Sequence, residues 1–60
     1  MTVREIEKTL KQAGWFEKRA KGGHKHFGHA DYGHIITVPQ HKGDLKNNTA
    51  DAILKQAGLK

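Results

Sequence analysis

Cysteine is absent from this 60-residue chain, which excludes disulfides and cysteine-based zinc sites as sources of stability. Small secreted domains commonly depend on disulfides, so we expect a cytoplasmic location. No apolar run approaches the roughly 20 residues of a membrane helix, and the N-terminus lacks the basic-then-apolar pattern of a signal peptide. We therefore expect residues 1–60 to form a single soluble domain with a small core and no membrane partner.

Acidic residues are also scarce. The chain has six Asp and Glu residues and eleven Lys and Arg residues, which gives a formal charge of +5. Five histidines can add to this charge at low pH. Such a balance favours a polyanionic or acidic partner, although lysines also simply keep small proteins soluble. Charge alone leaves both interpretations open.

The N-terminal segment predicts a helix of about twelve residues. Thr2 and Glu5 have the spacing of a capping box, and Gly14 is placed to end the helix in a left-handed conformation. The apolar residues recur at three- and four-residue steps, at Val3, Ile6, Leu10 and Ala13.

Three strands are predicted next, at Trp15–Ala20, His24–His29 and His34–Val38. Turn residues separate them at 21–23 and at 31–33, and Pro39 closes the third strand. Residues 40–48 read as a loop, after which a second amphipathic helix begins near Asn48 or Thr49 and ends at Gly58. Its apolar face is formed by Ala50, Ile53, Leu54 and Ala57.

The predicted fold class is α+β, in the order α-β-β-β-α, with two helices covering one face of a three-stranded antiparallel sheet. Residues two apart on a strand share a face. If Phe27 points toward the helices, Lys25 and His29 lie on its side, whereas His24 and His26 lie on the open face.

His24 is the candidate catalytic residue, because an imidazole that follows a flexible glycine pair inside a basic stretch is placed to grip and cut a phosphodiester. If the substrate is RNA, the 2′-hydroxyl is the nucleophile and needs a base to deprotonate it. A neutral imidazole suits that task, and basic residues can offset charge on the phosphorus centre. His26 is a candidate for the acid, or a surface histidine without a role. The candidate RNA-binding residues surround His24 in sequence, namely Arg19, Lys21, Gly22, Gly23 and Lys25.

Other patterns have competing interpretations. Trp15 and Phe16 are candidates for base stacking, but at least one is expected in the core, and Tyr32 is a further stacking candidate. Alternate histidines on a strand can chelate a metal ion, yet no cysteine joins them and Asp31 is the acidic residue nearby. We expect catalysis without a metal or other cofactor.

Four motifs, in this order, resemble the HicA toxins of HicAB toxin-antitoxin systems, at residues 21–27, 36–39, 44–45 and 53–59. The resemblance covers almost the whole chain. It implies a fold like the double-stranded RNA-binding domain, an mRNA interferase activity and neutralisation by a HicB-like antitoxin protein. The family's catalytic histidine lies in a Gly-Ser-His segment, which corresponds to Gly22, Gly23 and His24 here, so Gly23 replaces the usual serine.

Two alternatives to a metal-independent ribonuclease toxin stay open. The first is a non-catalytic RNA-binding module, suggested by the basic charge and the α-β-β-β-α order. Double-stranded RNA-binding domains span about 16 base pairs, for which this chain has little room. The second is a small cationic interaction domain that binds RNA weakly. If an antitoxin exists, the open sheet face with His24 is the surface that it most needs to cover.

Overall fold

The structure is a computed structural model that describes residues 1–40 and 43–60. The first helix, α1 (Val3–Gln12), begins at the predicted capping box, in which Glu5 N–H donates to Thr2 Oγ1 and Thr2 N–H donates to Glu5 Oε1. The bond from the Thr2 N–H holds the pKa of Glu5 below its ordinary value. Gly14 follows the helix with a φ of +95°, so its predicted capping role is confirmed.

A three-stranded antiparallel sheet follows, in the order β1 (Phe16–Lys21), β2 (His24–His29) and β3 (Tyr32–Pro39). Gly22 and Gly23 form the two-residue loop between β1 and β2, with φ values of +56° and +84°. Two successive positive φ angles are typical of a type I′ turn, whose twist matches that of the flanking strands. The predicted turn is therefore confirmed at Gly22 and Gly23, but Lys21 belongs to β1, which begins and ends one residue later than predicted.

The second hairpin turn was predicted one position too late. The turn lies at residues 30–31, and Tyr32 is the first residue of β3, where it pairs with His29. The Tyr32 ring packs against Trp15 with ring centroids 4.9 Å apart, which draws this residue into the sheet. Asp31-Tyr32-Gly33 is a turn signal in the sequence, but the contact between Tyr32 and Trp15 determines where β3 begins.

The second helix, α2 (Asn47–Gln56), begins earlier than predicted. Its N-cap is Lys46, which has no side-chain capping bond, and not Asn48 or Thr49. Leu45 precedes it and is buried, and its N–H donates to the Met1 carbonyl at 2.7 Å. This anchor to the N-terminus fixes where the helix begins. Two residues of the predicted 40–48 loop, at 41 and 42, lie outside the described residues.

The core lies between the helices and one face of the sheet. Its members are less than 5% exposed, and the largest are Ile6, Leu10, Trp15, Phe27, Ile36 and Val38. The alternation of burial in β3, with Ile36 and Val38 buried and Ile35 and Thr37 exposed, leaves the other face of the sheet uncovered. The predicted α+β architecture is confirmed. Neither described helix has the length and apolar character that a membrane span requires.

Candidate active site on the open sheet face

Side chains of β2 alternate between the helix-covered face and the open face, as predicted from Phe27. Phe27 is fully buried in the core, and Lys25 reaches Glu7 of α1 on the same side. His26 lies on the opposite side, in a cleft with residues of β1 and β3. Because His24 is two residues from His26 on one strand, the two imidazoles share the open face.

His24 is the first residue of β2 and directly follows the glycine turn. Its register partners are Lys21 on β1 and Pro39 on β3, and its side chain is exposed. Directly opposed residues on antiparallel strands have Cβ atoms about 5 Å apart. The tight turn therefore sets a basic side chain beside the candidate catalytic imidazole.

The glycine turn that precedes His24 is open to its surroundings. A Cβ atom at Gly22 or Gly23 would have no neighbour within 4 Å, so no other side chain covers the turn among the described residues. Both glycines are exposed. A polyanionic ligand can therefore approach the backbone here closely.

A cleft of about 320 Å³ opens on the same face and is lined by His26, which lies two residues along β2 from His24. Its lining residues come from all three strands, namely Lys18, Arg19, His26, Ile35 and Thr37. A β-bulge between Glu17 and Arg19 shifts the register of β1, so that the consecutive residues Lys18 and Arg19 line one cleft. The bulge thus concentrates positive charge on the open face.

His26 has a defined orientation in this cleft. Its Nδ1 atom lies 3.0 Å from Thr37 Oγ1, and its register partners are Arg19 on β1 and Thr37 on β3. The side chain is half-buried, unlike that of His24. A hydrogen bond at one ring nitrogen fixes the plane of an imidazole and leaves the other nitrogen for chemistry.

Lys25 is not brought to the open face. Its Nζ atom lies 3.4 Å from Glu7 Oε1 and 3.6 Å from Glu17 Oε1. The Glu7 carboxylate, followed by that of Glu17, raises the pKa of Lys25 above its ordinary value. The ammonium is therefore paired on the helix-covered side, opposite His24.

The residues on both sides of His24 are tied into one network. Gln40 donates its backbone N–H to the Gly23 carbonyl at 2.7 Å, and its side chain donates to Glu7 Oε2 at 2.8 Å. Glu7 in turn accepts from Lys25. The backbone before and after His24 is thereby linked to α1 through Gln40 and Glu7.

The remaining histidines on the helix-covered side have structural partners. His29 Nε2–H donates to the Ala13 carbonyl at 3.0 Å while its Nδ1 accepts from the Asp31 N–H, and His34 Nε2–H donates to the Gln56 carbonyl at 2.8 Å. These rings, with Tyr32, surround the buried Trp15. Tyr32 is therefore part of this packing and not of the open face that carries His24.

Phe16 is the exposed aromatic residue of the predicted pair, with 51% of its surface accessible, whereas Trp15 is buried in the core. Sequence reasoning did not single out Lys18, Ile35 or Thr37 as site residues. Alternation from Ile36 and Val38 places Ile35 and Thr37 on the open face, but the bulge that turns Lys18 into the cleft has no clear signal in the sequence. Residues 1–40 and 43–60 contain no group of three His, Asp or Glu side chains able to share a metal ion.

Comparison with known proteins identifies the class of this α+β domain. The family model for the HicA toxin of bacterial toxin-antitoxin systems matches residues 3–59. The chain therefore belongs to the HicA toxin family. Among solved structures, a chain of a toxin-antitoxin complex from Streptococcus pneumoniae is similar, with 37% identity, 98% of each chain covered and a TM-score of 0.86. No curated protein matches the chain in sequence.

Proposed function

We propose that this protein is an endoribonuclease that cleaves mRNA, with His24 as the general base, and that it acts as the toxin of a type II toxin-antitoxin system. The observation that carries the proposal is the placement of an exposed imidazole beside Lys21, at a glycine turn on the uncovered face of a basic domain. Family membership supplies the toxin context.

The reaction needs no cofactor, because the 2′-hydroxyl of RNA is the nucleophile. His24 takes the hydroxyl proton, and a positioned base typically contributes a factor of about 10² to 10⁴ in rate. Arg19 and Lys21 hold the phosphate, and the backbone N–H groups of Gly22 and Gly23 are additional donors at the turn. The sequence also predicted an RNA contact for Lys25, but its ammonium is paired on the opposite face, so it is not part of the proposed phosphate site.

We further propose that a HicB-like antitoxin covers the open face in the cytoplasm. Phe16 and Ile35 expose 51% and 45% of their surfaces there, beside the basic residues of the cleft. Exposed apolar side chains next to cations suit a partner with an acidic rim around an apolar centre. The similar structure is itself described as a toxin-antitoxin complex.

The test is incubation of the purified protein with a mixed RNA in excess EDTA, comparing wild type with His24→Ala. His34→Ala is the control for loss of a histidine on the opposite side of the sheet, and its thermal midpoint is measured as well, because His34 bonds to the Gln56 carbonyl. We expect cleavage by wild type and by the control, and a loss of about 10² to 10⁴ for His24→Ala at an unchanged thermal midpoint. Salt-sensitive RNA binding without cleavage by any of the three would instead indicate a non-catalytic RNA-binding module.

A further inference from the structure

The cleft next to His24 contains a second imidazole with its own cation and its own orienting hydroxyl. We propose that this cleft binds the scissile phosphodiester and that His26 is the general acid, which protonates the leaving 5′-oxygen. This inference rests on the proposed function, in which His24 is the base. It adds Lys18 and Thr37 to the site, and it assigns to His26 one of the two interpretations that the sequence left open.

The register of the sheet gives each histidine a basic neighbour. Lys21 lies opposite His24, and Arg19 lies opposite His26. Two cations on β1 thus run alongside two imidazoles on β2, at a cross-strand Cβ separation of about 5 Å. A phosphate bound over β1 and β2 can therefore contact Lys21 when it lies beside His24, and Arg19 when it lies beside His26.

The spacing of the two imidazoles suits in-line displacement. Alternate residues on a strand are about 7 Å apart along its axis and point to the same side. In an in-line reaction the attacking and the leaving oxygen lie on opposite sides of the phosphorus, so the base and the acid must flank the phosphate from two directions. His24 and His26 are placed to do so.

Thr37 distinguishes His26 from an ordinary surface histidine. Its hydroxyl can accept a hydrogen bond from Nδ1–H of an imidazolium, over the observed 3.0 Å, which leaves Nε2–H as the proton to be donated. Partial burial between Lys18, Arg19 and Ile35 restricts the ring further. An imidazole with a fixed orientation, in a cleft whose cations hold the phosphate, is placed to donate its proton to the leaving oxygen.

The step balances without any further reactant. The 2′-hydroxyl proton passes to His24, the 2′-oxygen forms a bond to phosphorus, and the bond from phosphorus to the 5′-oxygen breaks. His26 gives its Nε2 proton to that oxygen. The products are a 2′,3′-cyclic phosphate and a 5′-hydroxyl end.

The test compares two versions of one RNA oligonucleotide that wild type cleaves at a mapped linkage. In one version the bridging 5′-oxygen of that linkage is replaced by sulfur, because a thiolate leaves without protonation. We expect His26→Gln to slow cleavage of the oxygen substrate by about 10² to 10⁴ and to cleave the sulfur substrate within a few-fold of wild type. His24→Gln is expected to slow both substrates by similar factors.

Thr37→Val provides a second variant, which removes the orienting hydroxyl and leaves both imidazoles in place. We expect a smaller loss on the oxygen substrate, about tenfold at most, because one hydrogen bond is removed, and again little loss on the sulfur substrate. Affinity for the same RNA carrying a 2′-deoxy residue at the cleaved linkage is expected to be unchanged in this variant. That measurement separates orientation of the acid from substrate binding.

Three results would overturn the assignment of His26. Equal losses on the oxygen and sulfur substrates would indicate a role in binding or folding, and no loss on either would identify a surface histidine. Full activity of His24→Gln would contradict only the proposed base. The difference between the oxygen and sulfur substrates would still report on the role of His26. If wild type cleaves no RNA, the proposed function fails and the acid assignment fails with it.

Discussion

Replacement of Gly23 by serine tests the geometry of the turn that presents His24. Gly23 has a φ of +84°, a conformation that costs a residue with a Cβ atom about 1–2 kcal/mol. A Cβ at this position would meet no atom within 4 Å, so no steric term adds to the backbone term. We expect Gly23→Ser to lower the free energy of unfolding by about 1 kcal/mol, which is about 4–8 °C in Tm for a domain of this size.

Gly33→Ser is the matched control for that measurement. Gly33 lies in β3 and does not have a positive φ, and a Cβ atom there would also meet nothing within 4 Å. The same chemical change is therefore expected to leave Tm unchanged or slightly raised. Thermal unfolding of the two variants side by side decides the matter, since equal midpoints would contradict the left-handed turn. Cleavage rates measured well below both midpoints then report separately on any effect of the hydroxyl beside His24.

The remaining predictions concern RNA and the antitoxin. Arg19→Gln and Lys21→Gln are each expected to reduce the slope of log affinity against log salt by about 0.7 for a single-stranded RNA, whereas Lys25→Gln is expected to leave it unchanged because its ammonium is paired on the other face. Equal slopes in all three variants would contradict this division between faces. Phe16→Ser is expected to weaken antitoxin binding at least tenfold in a calorimetric titration, a loss of about 1.4 kcal/mol, and the exposed Leu59→Ser to have no effect. Comparable losses of affinity in both variants would contradict the proposal that the antitoxin binds the open face.

The sequence predicts the order of the elements and the orientation of β2 well. Local signals were sufficient there, because the capping box at Thr2, the glycine pair and the β-branched run before Pro39 each act over a few residues. Strand alternation then followed from the single assumption that Phe27 is buried. Both the exposure of His24 and the helix-side position of Lys25 are consequences of that one assignment.

Tertiary contacts account for what the sequence did not predict. Tyr32 begins β3 because its ring packs on Trp15, although its neighbours carry a turn signal. Lys46 becomes the N-cap of α2 because Leu45 is buried and bonded to the N-terminus. The pairing of Lys25 with Glu7 joins residues 18 positions apart, which no local pattern indicates. For Tyr32 and Lys46, a distant partner outweighed the local preference.

Two features that a simple strand pattern does not predict place positive charge on the open face. They are the bulge in β1 and the glycine at position 28. The bulge in β1 brings Lys18 and Arg19 to one side, and Gly28 on β2 gives the Lys18 stem room to cross, since a Cβ at Gly28 would lie 2.7 Å from Lys18 Cδ. Gly28 is buried although it lies on the otherwise uncovered side, because Lys18 and Phe16 cover it. Without the bulge, Lys18 and Arg19 would point to opposite faces of the sheet, and a larger residue at position 28 would occupy the space of the Lys18 stem. The open face would then carry one of these two cations and not both. The catalytic proposal for His26 therefore depends on Gly28 as much as on the imidazole itself, because the glycine lets positive charge accumulate where the phosphate is expected to bind.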